Sequence, residues 1–243
     1  MAFMTYAMQI LMSFVMMAMI FVFVPRAQAS AVRINEVLDM KDDIKNPDSP
    51  KAFNSDSSLT FNEVSYSYSG AEKPALSDVD FTAKKGDTVA IIGGTGSGKS
   101  TLVNLIPRFF DTTEGEILVD ECNVKDVLQH ELREKVSFVP QKAVLFTGTI
   151  RSNMQYGKEN ATDDEIWQAL ETAQAKSFVS ELPDGLDIKV EQGGTNFSGG
   201  QRQRLCIARA LIKNASVYVF DDSFSALDFK TDAALRKALK ESI

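Results

Sequence analysis

Residues 93 to 100 read GGTGSGKS and match the pattern G-x-x-x-x-G-K-[ST], in which a glycine-rich loop leads into a helix. The apolar run at 89–92 predicts a strand before the loop, and TLVNLIPRFF at 101–110 predicts a helix after it. Glycines allow backbone N–H groups to close around phosphate oxygens, and the helix N-terminus adds the positive end of its dipole. Lys99 is expected to reach the outer phosphates, and Ser100 to offer an oxygen to Mg²⁺. These residues therefore predict a P-loop for a nucleoside triphosphate.

A second motif, VYVFDDSFSALD at 217–228, joins four apolar residues to two adjacent carboxylates. The run at 217–220 is typical of a strand that is buried on both faces of a parallel sheet. Asp221 lies at the C-terminal end of this strand, where open α/β sheets bind ligands. In P-loop NTPases an Asp at this position holds the Mg²⁺ that bridges the phosphates. Asp221 is therefore predicted to be the carboxylate on the metal side.

Two further features lie between these motifs. The segment VSFVPQKAVLF at 136–146 puts Gln141 just after a strand, and NFSGGQRQRLCIARALIKN at 196–214 puts Ser198 at the head of an amphipathic helix. A Ser N-cap followed by two glycines with free N–H groups predicts a second anion site. One nucleotide rarely needs two such sites from one chain.

Composition limits the class of protein. The chain has 243 residues, of which 44% are hydrophobic, and this suits one globular domain with room for extra elements. The formal net charge is −7 and no long basic run is present, so nucleic acid is not an expected partner. Cys122 and Cys206 lie far apart and outside any metal-ligand spacing, which favours free, buried thiols in a reducing compartment.

The N-terminal stretch departs from soluble proteins. Residues 5–24 contain no charge, and at 1.5 Å per residue they span about 30 Å, which is the thickness of the hydrocarbon core of a bilayer. A transmembrane helix is predicted; a signal peptide, cleaved near Ala27-Gln28-Ala29, is the alternative. Basic residues follow the span and none precedes it, so everything downstream is expected in the cytoplasm.

The predicted span has a polar side, because Thr5, Gln9 and Ser13 share one helix face beside a row of methionines. Two interpretations stay open: packing against other helices through hydrogen bonds, or an adaptable wall for varied ligands. After the span, apolar residues at helical spacing predict that the helix continues through Ile44. The stretch KNPDSPKAFNSDSS at 45–58 predicts a linker, after which LTFNEVSYSY at 59–68 alternates as a half-buried strand and a turn is expected at 85–87.

Together, these motifs resemble the nucleotide-binding domain of ATP-binding cassette (ABC) transporters, and the resemblance covers essentially the whole chain. Gln141 corresponds to the family's Q-loop and the run at 217–221 to its Walker B strand. Tyr68 matches the aromatic A-loop residue that stacks on adenine, with Tyr66 as the less favoured choice. The resemblance implies an α/β fold: a P-loop NTPase domain of ABC type with small antiparallel β and helical subdomains, preceded by one transmembrane α-helix.

The resemblance also implies roles for individual residues. Nucleotide would be bound by Tyr68, Gly93, Gly94, Thr95, Gly96, Ser97, Gly98, Lys99, Ser100 and Thr101. Hydrolysis would depend on Asp222, Gln141 and Lys99, and Mg²⁺ would be held by Ser100, Gln141 and Asp221. The signature residues Ser198, Gly199, Gly200 and Gln201 would contact ATP that is held by a partner, and Asp228 belongs to the D-loop. The signature begins with Phe197, where Leu is commoner.

A partner follows from this arrangement, because two cassettes of the family dimerise head to tail with ATP between them. The resemblance implies a second half-transporter subunit, a membrane location with the nucleotide-binding domain in the cytoplasm, and a drug- or lipid-like substrate. The expected domains are the final transmembrane helix at 1–25, a helix extension and linker at 26–57, and the nucleotide-binding domain at 58–243.

Asp222 departs from the family pattern, which usually has Glu after the Walker B Asp as the general base toward water. An Asp side chain is shorter by one methylene, and a misplacement of about an ångström can cost about 10²-fold in rate. Slow hydrolysis is therefore expected, as in the degenerate subunit of heterodimeric bacterial exporters. The alternative is that Asp works adequately and the chain forms a homodimer.

Length is a second departure. The family's switch histidine lies one strand beyond the D-loop, whereas His130, the only histidine, precedes Gln141. A fragment of a longer subunit is expected, with impaired catalysis. Three functions stay open: an ATP-driven exporter subunit, a non-hydrolysing ATP-binding module for dimerisation and regulation, and a soluble cassette ATPase.

Overall fold

A computed structural model describes residues 1–40, 42–53 and 58–242. The chain divides into two compact units, residues 1–45 and 46–243. The helices are α1 (Ala2–Leu38), α2 (Lys99–Leu105), α3 (Gln129–Lys135), α4 (Ile150–Gln155), α5 (Asp163–Thr172), α6 (Lys176–Ser180), α7 (Gly199–Leu211) and α8 (Phe229–Ser242). The strands are β1 (Ser58–Tyr66), β2 (Leu76–Lys84), β3 (Glu114–Val119), β4 (Cys122–Asn123), β5 (Val136–Val139), β6 (Gly148–Thr149), β7 (Lys189–Val190) and β8 (Val217–Phe220).

The first unit contains α1, in which no residue is buried. By length and composition this helix is long and apolar enough to cross a membrane, and Pro25 lies inside it. The hydroxyl of Ser13 donates to the backbone oxygen of Gln9, so part of the predicted polar face is satisfied within the helix. The prediction that the helix continues through Ile44 is wrong, because α1 ends at Leu38. Acidic residues, among them Asp39, crowd this end, where the negative end of the helix dipole disfavours them.

The second unit begins with an antiparallel sheet in the order β2-β1-β3-β4. β1 pairs with β2 and β3, and bulges interrupt both ladders beyond Phe61 and Asn62. Inward side chains of these strands form a core with α2 and α3, in which Phe61, Leu105 and Leu132 are fully buried. This is the predicted antiparallel β subdomain, and Tyr68 lies two residues beyond the end of β1.

Helices α4 to α7 form the helical subdomain around a second core, in which Ile150, Ile166 and Ile207 are fully buried. Three helices of this subdomain begin with a capping box: the N-cap side chain accepts from the backbone N–H three residues later, and the N-cap backbone N–H donates to the side chain of that later residue. The pairs are Thr149 with Ser152, Thr162 with Glu165, and Ser198 with Gln201. Each of these helix starts is therefore encoded within four residues of sequence.

β5 and β8 pair in parallel, in register from Val136 opposite Val217 to Val139 opposite Phe220. The prediction that the 217–220 run is buried on both faces holds only for Val219, because its neighbours in β8 are half-buried. Among the described residues this parallel sheet has two strands, so β8 has a partner on one edge.

Two expectations beside the P-loop are also wrong. Residues 89–92 do not form a strand: the run is not paired with a sheet edge, and Ile92 is 92% exposed. A central strand needs hydrogen-bonded neighbours, and within the described part of the chain the parallel sheet holds only β5 and β8. The helix after the loop ends at Leu105 and does not reach Phe110, because Arg108 has left-handed backbone (φ 55°), which an α-helix cannot contain. Positions 41 and 54–57 of the predicted helix extension and linker lie outside the described residues.

Candidate functional site

The P-loop helix and the end of β8 meet through two of the predicted metal ligands. The hydroxyl of Ser100, at the second position of α2, donates to Asp221 Oδ1 across 3.1 Å. Asp221 directly follows β8, and its backbone N–H donates to the carbonyl of Val139 in β5. The paired strands therefore fix the carboxylate beside the first turn of α2.

Lys99 lies over its own loop. Its ammonium donates to the backbone oxygens of Gly93 (2.8 Å) and Gly94 (2.7 Å), and the Ser97 hydroxyl oxygen lies 3.5 Å away. Gly98 caps α2 in a left-handed conformation (φ 88°), and an added Cβ would lie 2.7 Å from the carbonyl oxygen of Ala75. A side chain at position 98 would thus be strained and also clash with backbone. The loop carbonyls therefore hold the lysine charge against the loop backbone.

Gln141 and Asp222 also meet, as the Gln141 amide Nε2 donates to Asp222 Oδ2 across 3.3 Å. Asp222 has left-handed backbone (φ 47°), which Asp adopts more readily than most residues with a Cβ. The next residue, Ser223, is fully buried, and its hydroxyl lies 3.1 Å from the carbonyl oxygen of Val139 and 3.3 Å from that of Asp221. This buried hydroxyl ties the ends of β5 and β8 together below the two carboxylates.

Tyr68 and Tyr66 occupy different environments. Tyr66 is 8% exposed, whereas Tyr68 is 44% exposed and its hydroxyl lies 3.0 Å from the hydroxyl oxygen of Thr101. A ring that stacks on a base must offer an open face, so the exposure favours Tyr68 for that role.

The signature segment starts α7. Ser198 is its N-cap: its hydroxyl accepts from the backbone N–H of Gln201, and the Gln201 side chain accepts from the backbone N–H of Ser198. Gly199 has open space where a side chain would lie, whereas a Cβ on Gly200 would come within 3.3 Å of the carbonyl oxygen of Ala226. In the described part of the chain, no hydrogen bond links this segment to the P-loop.

Asp228 has a local structural role in this chain. Its carboxylate accepts from the backbone N–H (3.0 Å) and the hydroxyl (2.6 Å) of Thr231, so it caps the start of α8. These hydrogen bonds hold the pKa of the Asp228 carboxyl below its usual value. The sequence pattern of the D-loop did not indicate this cap, although Asp followed three residues later by Thr at a helix start is a recognisable capping arrangement.

The residues around Ser100 suit Mg²⁺ better than a metal that is held by protein alone. Among the described residues, no group of three or more His, Cys, Asp or Glu side chains could hold an ion. Mg²⁺ in nucleotide sites commonly takes one or two protein carboxylates and completes its octahedron with phosphate oxygens and water. The hydroxyl and carboxylate that converge at 3.1 Å fit this donor set.

Sequence reasoning missed several residues around the site. The sequence did not point to Ser223 or Asn153. It indicated Thr101 as a nucleotide-binding residue, but not as the hydrogen-bond partner of Tyr68. Asn153 is 1% exposed; its amide donates to the carbonyls of Phe146 and Thr149, and its oxygen accepts from the backbone N–H of Phe146. The Q-loop segment that follows Gln141 is thereby fastened to α4. The role of Asn153 follows from the burial of a polar side chain. Sequence periodicity in so short a helix does not reveal that burial.

Known proteins with similar sequences or structures are ABC transporters. The profile of the family described as ABC transporter matches residues 76–225. An uncharacterised ABC transporter ATP-binding protein of Mycobacterium tuberculosis is 46% identical over 246 aligned positions, which cover 99% of this chain and 42% of that protein. The ATP-dependent lipid A-core flippase of Desulfotalea psychrophila is 42% identical over 87% of this chain and 37% of its own length.

Two further similar proteins are named as export proteins. A putative multidrug export ATP-binding/permease protein of Staphylococcus aureus is 42% identical over 74% of this chain and 31% of its own length. The structure of a bacterial Atm1-family ABC exporter with ATP bound superposes with a TM-score of 0.83 at 32% identity, covering 92% of this chain and 39% of that chain. The chain therefore spans less than half the length of these relatives. With an α/β P-loop fold and the family's sequence motifs in place, the chain belongs to the ABC transporter family and carries its ATP-binding domain, similar to those of ABC exporters.

Proposed function

We propose that the chain binds ATP with Mg²⁺, hydrolyses it slowly at its own site, and serves as the ATP-driven subunit of an exporter for a drug- or lipid-like substrate. The observation that carries this proposal is the contact of Ser100 with Asp221 at 3.1 Å, because it joins a phosphate loop to a carboxylate at the end of a parallel strand. The relatives that are named as a lipid A-core flippase and a multidrug export protein support the substrate class.

The residues of the site would divide the work as follows. Lys99 would exchange the carbonyls of Gly93 and Gly94 for the outer phosphates, and Ser100 and Asp221 would hold Mg²⁺. Bound Mg²⁺ would neutralise part of the phosphate charge. Asp222 would accept the proton of the attacking water, and Gln141 would orient the Asp222 carboxylate through their hydrogen bond and also approach the metal.

Slow turnover is proposed because the carboxylate of Asp222 is one methylene shorter than the usual Glu. Its left-handed backbone keeps the side chain beside Gln141, at 3.3 Å. A base that lies about an ångström short of its best position can lose about 10²-fold in rate. A heterodimer follows as the favoured assembly, in which a second subunit with a competent base provides most of the hydrolysis.

The partner would be a second half-transporter that lies head to tail against this one. Ser198, Gly199, Gly200 and Gln201 would then approach ATP on the partner's P-loop. Support comes from the start of α7, where Gly199 leaves open space and the Ser198 hydroxyl lies at an exposed helix N-terminus. Residues 58–243 would form the nucleotide-binding domain, residues 1–25 the final transmembrane helix, and residues 26–57 the extension and linker.

The decisive experiment compares steady-state ATP turnover of the wild-type subunit, purified in detergent, with that of Asp222→Glu. Lys99→Ala measures contaminating ATPase, and Asp184→Glu adds the same methylene at an exposed carboxylate outside the site. A large rise that is confined to Asp222→Glu supports the blunted base and the heterodimer. Substantial wild-type turnover that Glu does not change contradicts slow hydrolysis and favours a homodimer.

Two other outcomes distinguish the remaining functions. ATP binding without turnover in either protein, even with a partner subunit present, would favour a non-hydrolysing module for dimerisation. For the membrane location, recovery of the chain in the cytosolic fraction without detergent would argue against the exporter and for a soluble ATPase. Retention in membranes after alkaline extraction would support α1 as a spanning helix.

A further inference from the structure

The hydroxyl groups of Tyr68 and Thr101 lie 3.0 Å apart. This contact joins the ring that is proposed to stack on adenine to the P-loop helix α2. Thr101 is 8% exposed, so its side chain has little freedom, whereas 44% of Tyr68 is exposed. We propose that Thr101 is a positioning residue that holds the Tyr68 ring in the orientation a nucleobase requires, in addition to any contact with phosphate. This inference rests on the proposed function, because it assumes that ATP binds at this P-loop.

The aromatic neighbours of Tyr68 leave part of its ring exposed for a ligand. Tyr68 makes edge contacts with Tyr66, at a centroid distance of 4.9 Å, and with Phe110, at 5.8 Å. Tyr66 and Phe110 are themselves 5.5 Å apart, so the three centroids form a nearly equilateral triangle. Both aromatic neighbours therefore lie in a similar direction from the Tyr68 centroid, while 44% of the residue stays exposed.

The backbone around Tyr68 is held against the same loop. The Ala71 N–H donates to the Tyr68 carbonyl (3.0 Å), and the Ala75 N–H donates to the Tyr66 carbonyl (2.8 Å). The carbonyl of Ala75 in turn approaches Gly98 so closely that a Cβ there would lie 2.7 Å away. The turn that carries Tyr68 thus packs on the P-loop at its base, and the hydroxyl pair adds a second point of attachment at the far end of the ring.

A single helix consequently sets both ends of the nucleotide site. Lys99, Ser100 and Thr101 are consecutive in α2; the first two face the phosphates, and the third fixes the ring. A ring that is held before binding loses less conformational freedom when a base stacks on it. The hydroxyl pair should therefore raise affinity for the base portion of ATP and leave affinity for the phosphates unchanged.

The experiment separates these portions with two ligands. Dissociation constants of the full chain in detergent are measured for ATP and for inorganic tripolyphosphate, which has the phosphate chain and no base. The readout is the ratio of the two constants. Tyr68→Phe keeps the stacking ring and removes the hydroxyl, so it should weaken ATP binding about threefold to tenfold and leave tripolyphosphate unchanged. Thr101→Val should lower the preference for ATP by the same factor, whatever it does to both ligands through phosphate contacts.

Further variants make the result specific. The ratio of the two dissociation constants should be the same in the double variant as in either single variant, because each change removes the same hydrogen bond. Thr101→Ser retains a hydroxyl and should therefore keep the wild-type ratio. Tyr66→Phe removes a tyrosine hydroxyl outside this contact and should also leave the ratio unchanged. An unchanged ratio in Tyr68→Phe, or additive effects of the two changes, would overturn the inference while ATP binding by the wild type stands. Wild-type protein that binds neither ligand would overturn the proposed function itself.

Discussion

The Gln141 amide donates to the Asp222 carboxylate across 3.3 Å, although the two residues are 81 positions apart in the chain. In-register pairing of β5 with β8 brings their ends to the same edge, where Gln141 and Asp222 follow. The amide restricts the rotation of a carboxylate that sits on left-handed backbone. The orientation of the proposed base thus depends on a residue from the neighbouring strand.

The Gln141→Leu change should lower ATP turnover about tenfold, because it frees the Asp222 carboxylate, and should raise the KM for ATP by a smaller factor, because Ser100 and Asp221 would still hold Mg²⁺. Steady-state kinetics of the purified subunit measure both constants, so that hydrolysis at the proposed partner's site does not mask the change. Gln168→Leu, at an exposed position of α5, is the matched control. A rise in KM as large as the fall in kcat would instead assign Gln141 to ground-state binding.

Asp221→Asn should abolish most of the gain in ATP affinity that Mg²⁺ provides. The amide keeps the shape of the side chain and can still accept from Ser100, but it loses the charge that attracts a divalent cation. Titrations of ATP with Mg²⁺ and with EDTA give the gain in each protein, and Asp232→Asn in α8 is the control. An equal magnesium gain in wild type and Asp221→Asn would exclude Asp221 as the metal-side carboxylate.

Ser198→Ala should have two separable effects. Loss of the N-cap should lower the free energy of unfolding by about 1 kcal/mol, as measured by denaturant unfolding. Loss of the hydroxyl should also weaken ATP-dependent association of the subunits, as measured by light scattering. Thr162→Ala removes the N-cap of another capping box, at α5, and is expected to reproduce only the loss of stability. Equal loss of association in both variants would assign the role of Ser198 to helix capping alone.

Acid should weaken the helical subdomain through Asp187. Two hydrogen bonds from Arg151, at 2.8 and 3.1 Å, hold the pKa of the Asp187 carboxyl below its ordinary value of 3.8. Since the folded pKa is depressed, the stabilisation is complete above about pH 4 and is lost as pH falls through the folded pKa. Asp187→Asn should therefore destabilise the chain at pH 6 and differ less from wild type at pH 3. Denaturant unfolding at both values checks this, with Asp184→Asn as the control. A constant difference would contradict the charge-dependent pair.

Sequence predicted those parts of the site whose chemistry is encoded in adjacent residues. The loop that ends in Lys99 and Ser100, the carboxylate of Asp221 at a strand end and the N-cap Ser198 all lie where their motifs indicate. Local rules suffice there, because a glycine turn, a strand end and a capping box each depend on a few neighbouring positions.

Contacts between distant segments could not be predicted in the same way. The Tyr68 bond to Thr101, the buried hydroxyl of Ser223 and the left-handed backbone of Asp222 depend on tertiary packing. At 89–92, in contrast, the sequence predicted a strand that the structure lacks. These residues favour a strand, but strand formation also requires a free sheet edge at the right place. Apolar composition alone does not supply that edge.

Parallel pairing of β5 with β8 also has a consequence for the order in which the chain folds. The capped helices α4, α5 and α7 begin with contacts spanning four residues, so they can form soon after these residues leave the ribosome. Within the described residues β5 pairs with β8 alone, so the intervening segment has to close before this sheet can form. We therefore expect nucleotide-binding competence to appear late during synthesis, when the carboxylate at 221 reaches the helix that begins at Lys99.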